Sequence, residues 1–399
     1  MGVKLAQGWT TPADIKAELA RYWTSGRLLA ARVATEPFYP LARQVRKPDA
    51  RALSERFDEV RQWIKALESA GKAAQGFGYE IEWTEINHRQ LGRNRLPTGA
   101  RIETEQDALR LIGKRQDAER FARLAALTLE QFPGLGDWLG RYPMRLLEHA
   151  DDWERVLAIL AWFRNHPRPG LYLRQLDIAG VDTKFIEAHR ALLSDLLDHV
   201  QAPDAIDPLF IGARVFEQRH GLAVKPPLVR FRVLDPGLSI GGLRDLTIPA
   251  ADFARLDTRA KRVFITENEI NGLAFPEVQS ALVVFGLGYD VARLSPAGWL
   301  ASRALFYWGD IDTHGFAILD RLRARFVHAR SLLMDHATLM AHQALWVREA
   351  EPLPRALDHL TPQESALFED LRQNRLGDHV RLEQERVAFG WVREALAQI

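Results

Sequence analysis

The sequence has 399 residues, more than one ordinary hydrophobic core accommodates, so we expect two or three domains. Hydrophobic residues make up 47% and charged residues 26%, the profile of a water-soluble protein, and no apolar run approaches the roughly 20 residues that a membrane-spanning helix needs. The net charge of +1 does not by itself indicate nucleic-acid binding, although local basic patches could still bind phosphate.

The absence of cysteine restricts the possible metal chemistry. Without thiolates, any bound metal must be held by carboxylate or imidazole groups, which favours a hard cation such as Mg²⁺ or Mn²⁺. No disulfide can form, and the first residues contain no apolar stretch that would serve as a secretory signal. We therefore expect a cytoplasmic protein with no membrane segment.

Residues 1–75 are interpreted as a helical N-terminal arm. Thr11 and Pro12 supply a cap and a first-turn proline for one helix, and a second helix is predicted over 50–69. Residues 71–78, GlyLysAlaAlaGlnGlyPheGly, are predicted to be a flexible joint. The second helix has apolar residues spaced for one buried face: Leu53, Phe57, Val60, Ile64 and Leu67.

The segment 38–49 between these helices is rich in basic residues and bounded by prolines. It fits either a solvated loop or an arm that contacts the phosphate backbone of a nucleic acid. The candidate DNA-binding residues here are Arg43, Arg46 and Lys47.

Residues 76–225 are interpreted as a mixed α/β region that binds DNA. Residues 79–86 alternate and predict a strand, and 105–163 predict helices broken near 132–136. A strand over 171–178, a glycine turn and a helix ending near residue 197 are typical of winged-helix domains, but also of many unrelated folds. Asp182 or Thr183 is the expected cap of that helix, and the candidate phosphate contacts are Arg174, Lys184 and Arg190.

Residues 226–399 are predicted to form a catalytic α/β domain with helices at its end. Short apolar runs alternate with helical segments, which is the pattern of a parallel sheet. The predicted strands are 226–235, 261–266, 281–285, 304–308 and 331–334, with helices after 266, over 313–326 and from Pro362 onward.

Three acids directly follow two of these buried strands. Glu267 follows 261–266, and Asp310 and Asp312 follow 304–308. Because functional groups gather at the carboxyl ends of parallel strands, the three carboxylates converge if those strands are neighbours. Negatively charged carboxylates this close repel one another, so removing one carboxylate should relieve the repulsion. A bound divalent cation would also offset the repulsion. A metal held there could polarise a phosphodiester, which predicts phosphoryl-transfer chemistry.

Other acids and one histidine near these positions have two interpretations each. His314 either contacts metal or phosphate or only caps a helix, and Glu269 is either a second ligand or a solvated acid. Glu383 and Glu385 lie in the predicted C-terminal helical stretch, where the alternative is a salt-bridged helix face.

Particular stretches of this sequence resemble a known family. PheIleThrGlu (264–267), ValValPheGlyLeuGly (283–288) and TrpGlyAspIleAspThrHisGly (308–315) resemble the Toprim domain of topoisomerases, DnaG-type primases and OLD-type nucleases. Together with 174–187 and 381–386, the sequence looks like the nuclease subunit of bacterial Wadjet anti-plasmid systems, the JetD or MksG family. The resemblance is also what keeps Glu385 among the candidates.

The resemblance implies a Toprim endonuclease that cleaves closed circular DNA beside an SMC-like motor complex with its kleisin and accessory subunits. It also implies an architecture like that of type IIB topoisomerase A subunits, in which a tyrosine is the nucleophile. Tyr142 and Tyr172 are in the corresponding half, but their apolar and proline neighbours suggest packing, so we favour metal-assisted hydrolysis. A homodimer on double-stranded DNA is expected. The alternatives are a DNA-binding adaptor with a structural metal and a strand-passage enzyme.

Overall fold

The computed structural model describes residues 8–88 and 92–399, and the chain divides into two units, Met1–Val224 and Lys225–Ile399. The division into three domains stays a prediction. None of the described helices has the length and hydropathy that crossing a bilayer requires.

The first unit contains a three-stranded sheet and a set of helices. Its elements are α1 Pro12–Thr24, α2 Arg27–Ala30, β1 Leu41–Gln44, α3 Ala50–Glu55, α4 Phe57–Ala70, α5 Lys72–Gln75, β2 Glu80–His88, β3 Gly92–Ile102, α6 Glu105–Ile112, α7 Arg115–Gln131, α8 Gly136–Arg141, α9 Pro143–Glu148, α10 Trp153–Asn165, α11 Thr183–Ala188, α12 Arg190–Val200 and α13 Phe216–Arg219. Short 3-10 turns lie at Pro133–Leu135, Leu173–Gln175, Pro203–Ala205 and Ala213–Val215.

The N-terminal part departs from the helical prediction in three places. The segment 38–49 is not wholly a loop, because it contains β1, which pairs antiparallel with β3. The segment predicted as one helix over 50–69 forms two helices, α3 and α4. Phe57 was expected on the buried face but is exposed, whereas Trp63 is buried there. The Trp63 Nε1 donates a hydrogen bond to the Thr10 carbonyl at 2.7 Å. Residues 71–78 are a structured connection rather than a joint, since they contain α5.

In the middle of the chain the predicted helices over 105–163 are confirmed, but the strand predicted over 171–178 is wrong. Residues 171–178 form a 3-10 turn and isolated bridges, because their backbone meets single residues and no neighbouring strand. The next helix is divided into α11 and α12, and Asp182 is its cap, accepting a hydrogen bond from the backbone N–H of Phe185 at 2.8 Å.

The second unit is built on a six-stranded sheet. Its elements are β4 Leu228–Val233, β5 Asp245–Pro249, α14 Ala250–Ala254, β6 Arg262–Thr266, α15 Glu269–Ala274, β7 Ala281–Phe285, β8 Ala304–Trp308, α16 Thr313–Arg323, β9 Arg330–Ser331, α17 His336–Ala341, β10 Val347–Arg348, α18 Pro362–Arg372, β11 Val380–Arg381 and α19 Phe389–Ala397. Its 3-10 turns are Pro236–Leu238, Gly288–Leu294, Gly298–Ser302, Gln343–Leu345 and Gln384–Arg386.

The strand order in this sheet is β5-β4-β7-β6-β8-β9. Strand β6 is parallel to both β7 and β8, and β8 is parallel to β9, whereas β4 pairs antiparallel with β5 and β7. Strands β6, β7 and β8 are almost wholly buried, as their apolar, β-branched runs predict for strands covered on both faces. A mostly parallel sheet in the C-terminal half is therefore confirmed, with β5 as an unpredicted edge strand.

Candidate active site

The structure brings Glu267 next to the residues that follow β8. Thr266 and Trp308 are partners in the β6–β8 register, so the two strands end side by side. A Cβ added to Gly309 would overlap the Glu267 Oε1 atom, so the glycine leaves the room that this carboxylate occupies. The buried Tyr307 hydroxyl donates a hydrogen bond to the same oxygen.

Burial governs the charge of Glu267. It raises the pKa of this carboxyl to about 7, and the nearby charges of Asp310 and Asp312 act in the same direction. Hydrogen bonds from the Tyr307 hydroxyl and the Asp310 backbone oppose the shift. The carboxyl is therefore only partly ionised near neutral pH.

Asp312 combines a structural contact with an unfavourable charge. It is 4% exposed and caps α16, accepting a hydrogen bond from the Gly315 N–H at 2.7 Å. Burial raises its pKa to about 6, assisted by the charges of Glu349 and Asp310. A Cβ on Gly315 would overlap the Asp310 carbonyl, so the bend between the two aspartates requires glycine at this position.

Arg381, from β11, lies between the two aspartates. Its guanidinium is 2.5 Å from Asp310 Oδ2 and its Nε is 3.1 Å from Asp312 Oδ2. The second contact is an ion pair without hydrogen-bond geometry, because the buried Nε has no hydrogen-bond partner in the described structure. One arginine thus compensates part of the charge that the three acids create.

Gln384 fastens the ends of β6 and β8 together. The residue is 2% exposed, and its Oε1 accepts hydrogen bonds from Thr266 Oγ1, from Asn271 Nδ2 at 3.0 Å and from the Asn268 N–H at 3.2 Å. Its backbone N–H donates to Asp310 Oδ1 at 2.8 Å. Gln384 therefore contacts Asp310 directly and contacts the residues on both sides of Glu267.

Glu349 is a further carboxylate near the centre, and sequence reasoning missed it. It is 3% exposed, accepts a hydrogen bond from Thr313 Oγ1 at 2.5 Å, and lies 3.9 Å from His314 Nε2. Nothing in its local sequence marked it, and neither Arg381 nor Gln384 was singled out, although the segment containing them was.

His314 is held by two partners. Its Nε2 lies 2.8 Å from the Glu351 carbonyl, which can only accept, so Nε2 carries a hydrogen. In the neutral ring Nδ1 then accepts the hydrogen bond of the Tyr289 hydroxyl. Neither partner is a backbone group of α16, so the His314 side chain does not cap that helix, and its contact with metal or phosphate stays a prediction.

The other candidate acids lie differently from the prediction. Glu269 forms an ion pair with Arg230 and is 58% exposed on its side chain, which fits the solvated alternative. Glu383 and Glu385 are not on an α-helix. Glu383 directly precedes the 3-10 turn Gln384–Arg386 that follows β11, and Glu385 lies within that turn. Glu383 pairs with Arg386 at 2.7 Å, and Glu385 is exposed.

The predicted DNA contacts all lie in the first unit. Two are engaged by acids: Arg43 is 2.5 Å from Glu18, and Arg190 pairs with Glu217. The remaining four are exposed, namely Arg46, Lys47, Arg174 and Lys184. Their role in binding DNA stays a prediction.

Tyr142 and Tyr172 were predicted to pack, and the structure contradicts this. They are 39% and 46% exposed. Tyr142 lies at the end of α8 beside the Trp138 ring, and Tyr172 pairs through its backbone with Gln175 and Ala223.

The acids have the chemistry of a site for a hard divalent cation. Their oxygen donors suit Mg²⁺ or Mn²⁺, and a cation would offset the repulsion that helps to raise the pKa of Glu267. The residues that would hold it are Glu267, Asp310 and Asp312. Among the described residues no group of three or more acids or histidines is arranged to hold a metal ion, and Arg381 contacts both aspartates.

These features define a class: an α/β domain with a carboxylate centre at the carboxyl edge of its parallel strands. Residues 221–396 match the family model described as the C-terminal part of Wadjet protein JetD, and residues 12–198 match DUF3322, the N-terminal part of an uncharacterized protein conserved in bacteria. The chain belongs to the JetD family of Wadjet proteins. No curated protein matches it.

Proposed function

We propose that this protein is a metal-dependent endonuclease of the Toprim type that cleaves closed circular plasmid DNA. The observation that carries the proposal is the meeting of Glu267, Asp310 and Asp312 at one edge of the sheet, where burial and nearby negative charge oppose the ionisation of Glu267 and Asp312. An arrangement that is electrostatically costly without a cation is what a metal-assisted phosphoryl-transfer site requires.

Each residue then has a defined part in the chemistry. A bound Mg²⁺ or Mn²⁺ would polarise the phosphodiester and offset negative charge. Glu267, Asp310 and Asp312 would hold that ion, while the Tyr307 hydroxyl and the Gln384 backbone orient two of them. Arg381 keeps the aspartates together, and its guanidinium is the nearest described cation to them.

The JetD match supports a role within a Wadjet system. In that setting the partners proposed are double-stranded DNA, an SMC-like motor complex with its kleisin and accessory subunits, and a second copy of this chain. We further propose a cytoplasmic location and a winged-helix-like DNA-binding region in the first unit, for which the Asp182-capped helices α11 and α12 are the candidate.

A supercoiled plasmid incubated with the full-length protein and Mn²⁺ or Mg²⁺ tests the activity. Linear or degraded product is expected, and E267Q and D310A should abolish it while circular dichroism shows an intact fold. Either variant cutting at the wild-type rate would refute the role of that residue.

The same assay separates the alternatives. A DNA-binding adaptor leaves the plasmid unchanged, whereas a strand-passage enzyme yields relaxed, resealed circles. Because Tyr142 and Tyr172 are exposed, the reaction should also be stopped with detergent. Recovery of DNA covalently attached to the protein would indicate a tyrosyl intermediate instead of direct hydrolysis.

A further inference from the structure

Beside the carboxylate centre lies a group of exposed side chains that the proposed chemistry does not use. We call it the cationic rim, and it consists of Tyr289, His314, Arg321 and Arg355. Tyr289 is 39% exposed, His314 is 40% exposed on its side chain, and both arginines are exposed.

The rim lies close to the acids. His314 is two residues beyond Asp312, and its Nε2 lies 3.9 Å from the buried Glu349 carboxylate. The N–H of Leu353, two residues before Arg355, donates to Thr313 Oγ1 at 2.7 Å, which brings the segment with Arg355 to the start of α16. Burial raises the pKa of Tyr289, and the charges of Asp312, Glu267, Arg321 and Arg355 accordingly act on it as well.

The rim side chains hold one another in place. The Tyr289 hydroxyl bonds to His314, which is itself fixed by the Glu351 carbonyl. Arg321 donates to the Tyr289 carbonyl at 2.9 Å and lies 5.4 Å from the centre of the Tyr289 ring. His314 positions Tyr289, and Tyr289 positions Arg321.

The two rim arginines differ from the arginines of this unit that are paired with acids. Arg230 pairs with Glu269, Arg293 with Asp290, and Arg381 with Asp310. Among the described residues no carboxylate lies within 4.0 Å of the Arg321 or Arg355 guanidinium. Their positive charge is therefore available to a ligand.

The turn that leaves β7 has open space around its two glycines. Gly286 and Gly288 have φ values of 75° and 48°, which favour glycine, and a Cβ on either would meet no atom within 4 Å. This turn follows β7 at the same edge as β6, and leads directly into Tyr289.

We propose that Arg321 and Arg355 bind a backbone phosphate of duplex DNA beside the carboxylate centre, with Tyr289 and His314 as positioning residues. The inference rests on the proposed nuclease function and adds the contact that brings the strand to the acids. A phosphate approaching three carboxylates is repelled, and two unpaired guanidinium groups at their border offset that repulsion and fix the register of the strand.

The test measures binding without cleavage. In full-length E267Q protein, the affinity for a short fluorescent DNA duplex is measured by anisotropy in EDTA over a series of KCl concentrations. R321Q and R355Q should each weaken binding, and the double variant should lower the slope of log affinity against log salt by about 0.9, the value for one lost phosphate contact.

Two further variants control this measurement. R321K keeps the charge and should keep most of the slope, whereas R255Q removes an exposed arginine already paired with Asp252 and should change nothing. A double rim variant that binds like its E267Q parent would overturn the inference, as would an R321K loss equal to that of R321Q, or a parent that does not bind the duplex.

The inference and the nuclease proposal fail separately. If the wild-type protein cleaves plasmid but the rim variants keep full binding, only the phosphate site is wrong. If the rim variants lose binding but the wild-type protein does not cleave with Mn²⁺ or Mg²⁺, the site is retained and the proposed chemistry is wrong.

Discussion

At the scale of single residues, the three acids are not equivalent. The sequence predicted that removing any one would relieve repulsion, but Asp310 accepts from both Arg381 and the Gln384 N–H. Glu267 has only the Tyr307 hydroxyl and one backbone hydrogen bond against its burial. Substitutions at Glu267 and Asp310 should therefore change stability in opposite directions.

We predict that E267Q stabilises the metal-free protein at pH 8 by roughly 1–3 kcal/mol and has almost no effect near pH 4, below the ordinary pKa of the carboxyl. The folded pKa of about 7 lies above the ordinary value of 4.5, so stability is lost as pH rises through that interval, and glutamine removes the loss. Thermal unfolding in EDTA at both pH values measures this.

D310N is the matched variant and should lower the melting temperature at pH 8, because it weakens the pairing of a half-buried Arg381. A fall in melting temperature for E267Q at pH 8, or a rise for D310N, would contradict the assignment of these contacts.

A second residue-scale prediction concerns Gly309. In G309A the new methyl group overlaps Glu267 Oε1, so this carboxylate must move. If the proposed metal site is correct, Mn²⁺ should raise the melting temperature of the wild-type protein, and we expect G309A to shrink that rise at least several-fold. G298A is the control, because a Cβ there meets no atom within 4 Å, and it should behave like the wild type.

At the scale of elements, the buried parallel strands were predictable and the parts that complete the centre were not. Strands β6, β7 and β8 are continuous apolar runs, which few other structures explain. The edge strand β5 has a partly exposed Asp-Leu-Thr-Ile-Pro sequence with no such signal.

Glu267 lies beside Gly309 because β6 and β8 are neighbouring parallel strands, so the residues that follow them come together. Arg381, Gln384 and Glu349 reach the centre through long-range packing, which residue spacing does not encode. Within the segment 381–386 the acids attracted attention, whereas the structure uses the arginine and the glutamine.

The turn after β11 gives a prediction for an element. Q384A removes the acceptor shared by Thr266, Asn268 and Asn271 and leaves buried donors unsatisfied. We expect a loss of about 2–4 kcal/mol in the free energy of unfolding, measured by urea denaturation. The exposed Gln373 provides the control, and Q373A should stay within about 0.5 kcal/mol of the wild type. Equal effects of the two substitutions would contradict the anchoring role of Gln384.

At the scale of the whole molecule, cutting both strands of a duplex requires two attacks on opposite strands. One carboxylate centre serves one strand at a time, and a two-fold dimer matches the pseudo-symmetry of DNA. We therefore predict a homodimer in sedimentation or light scattering, with and without DNA. A strictly monomeric protein that still makes double-strand breaks would rule this model out.

The position of Gln384 in the chain has a consequence during protein synthesis. Gln384 lies 74 residues beyond Asp310, whose carboxylate it anchors. At about 5–20 residues per second, translation reaches it roughly 4–15 s after the aspartate. A nascent chain therefore carries all three acids before it carries the arginine and glutamine that align them. A chain still attached to its ribosome would thus lack an assembled carboxylate centre until almost all of it had been made.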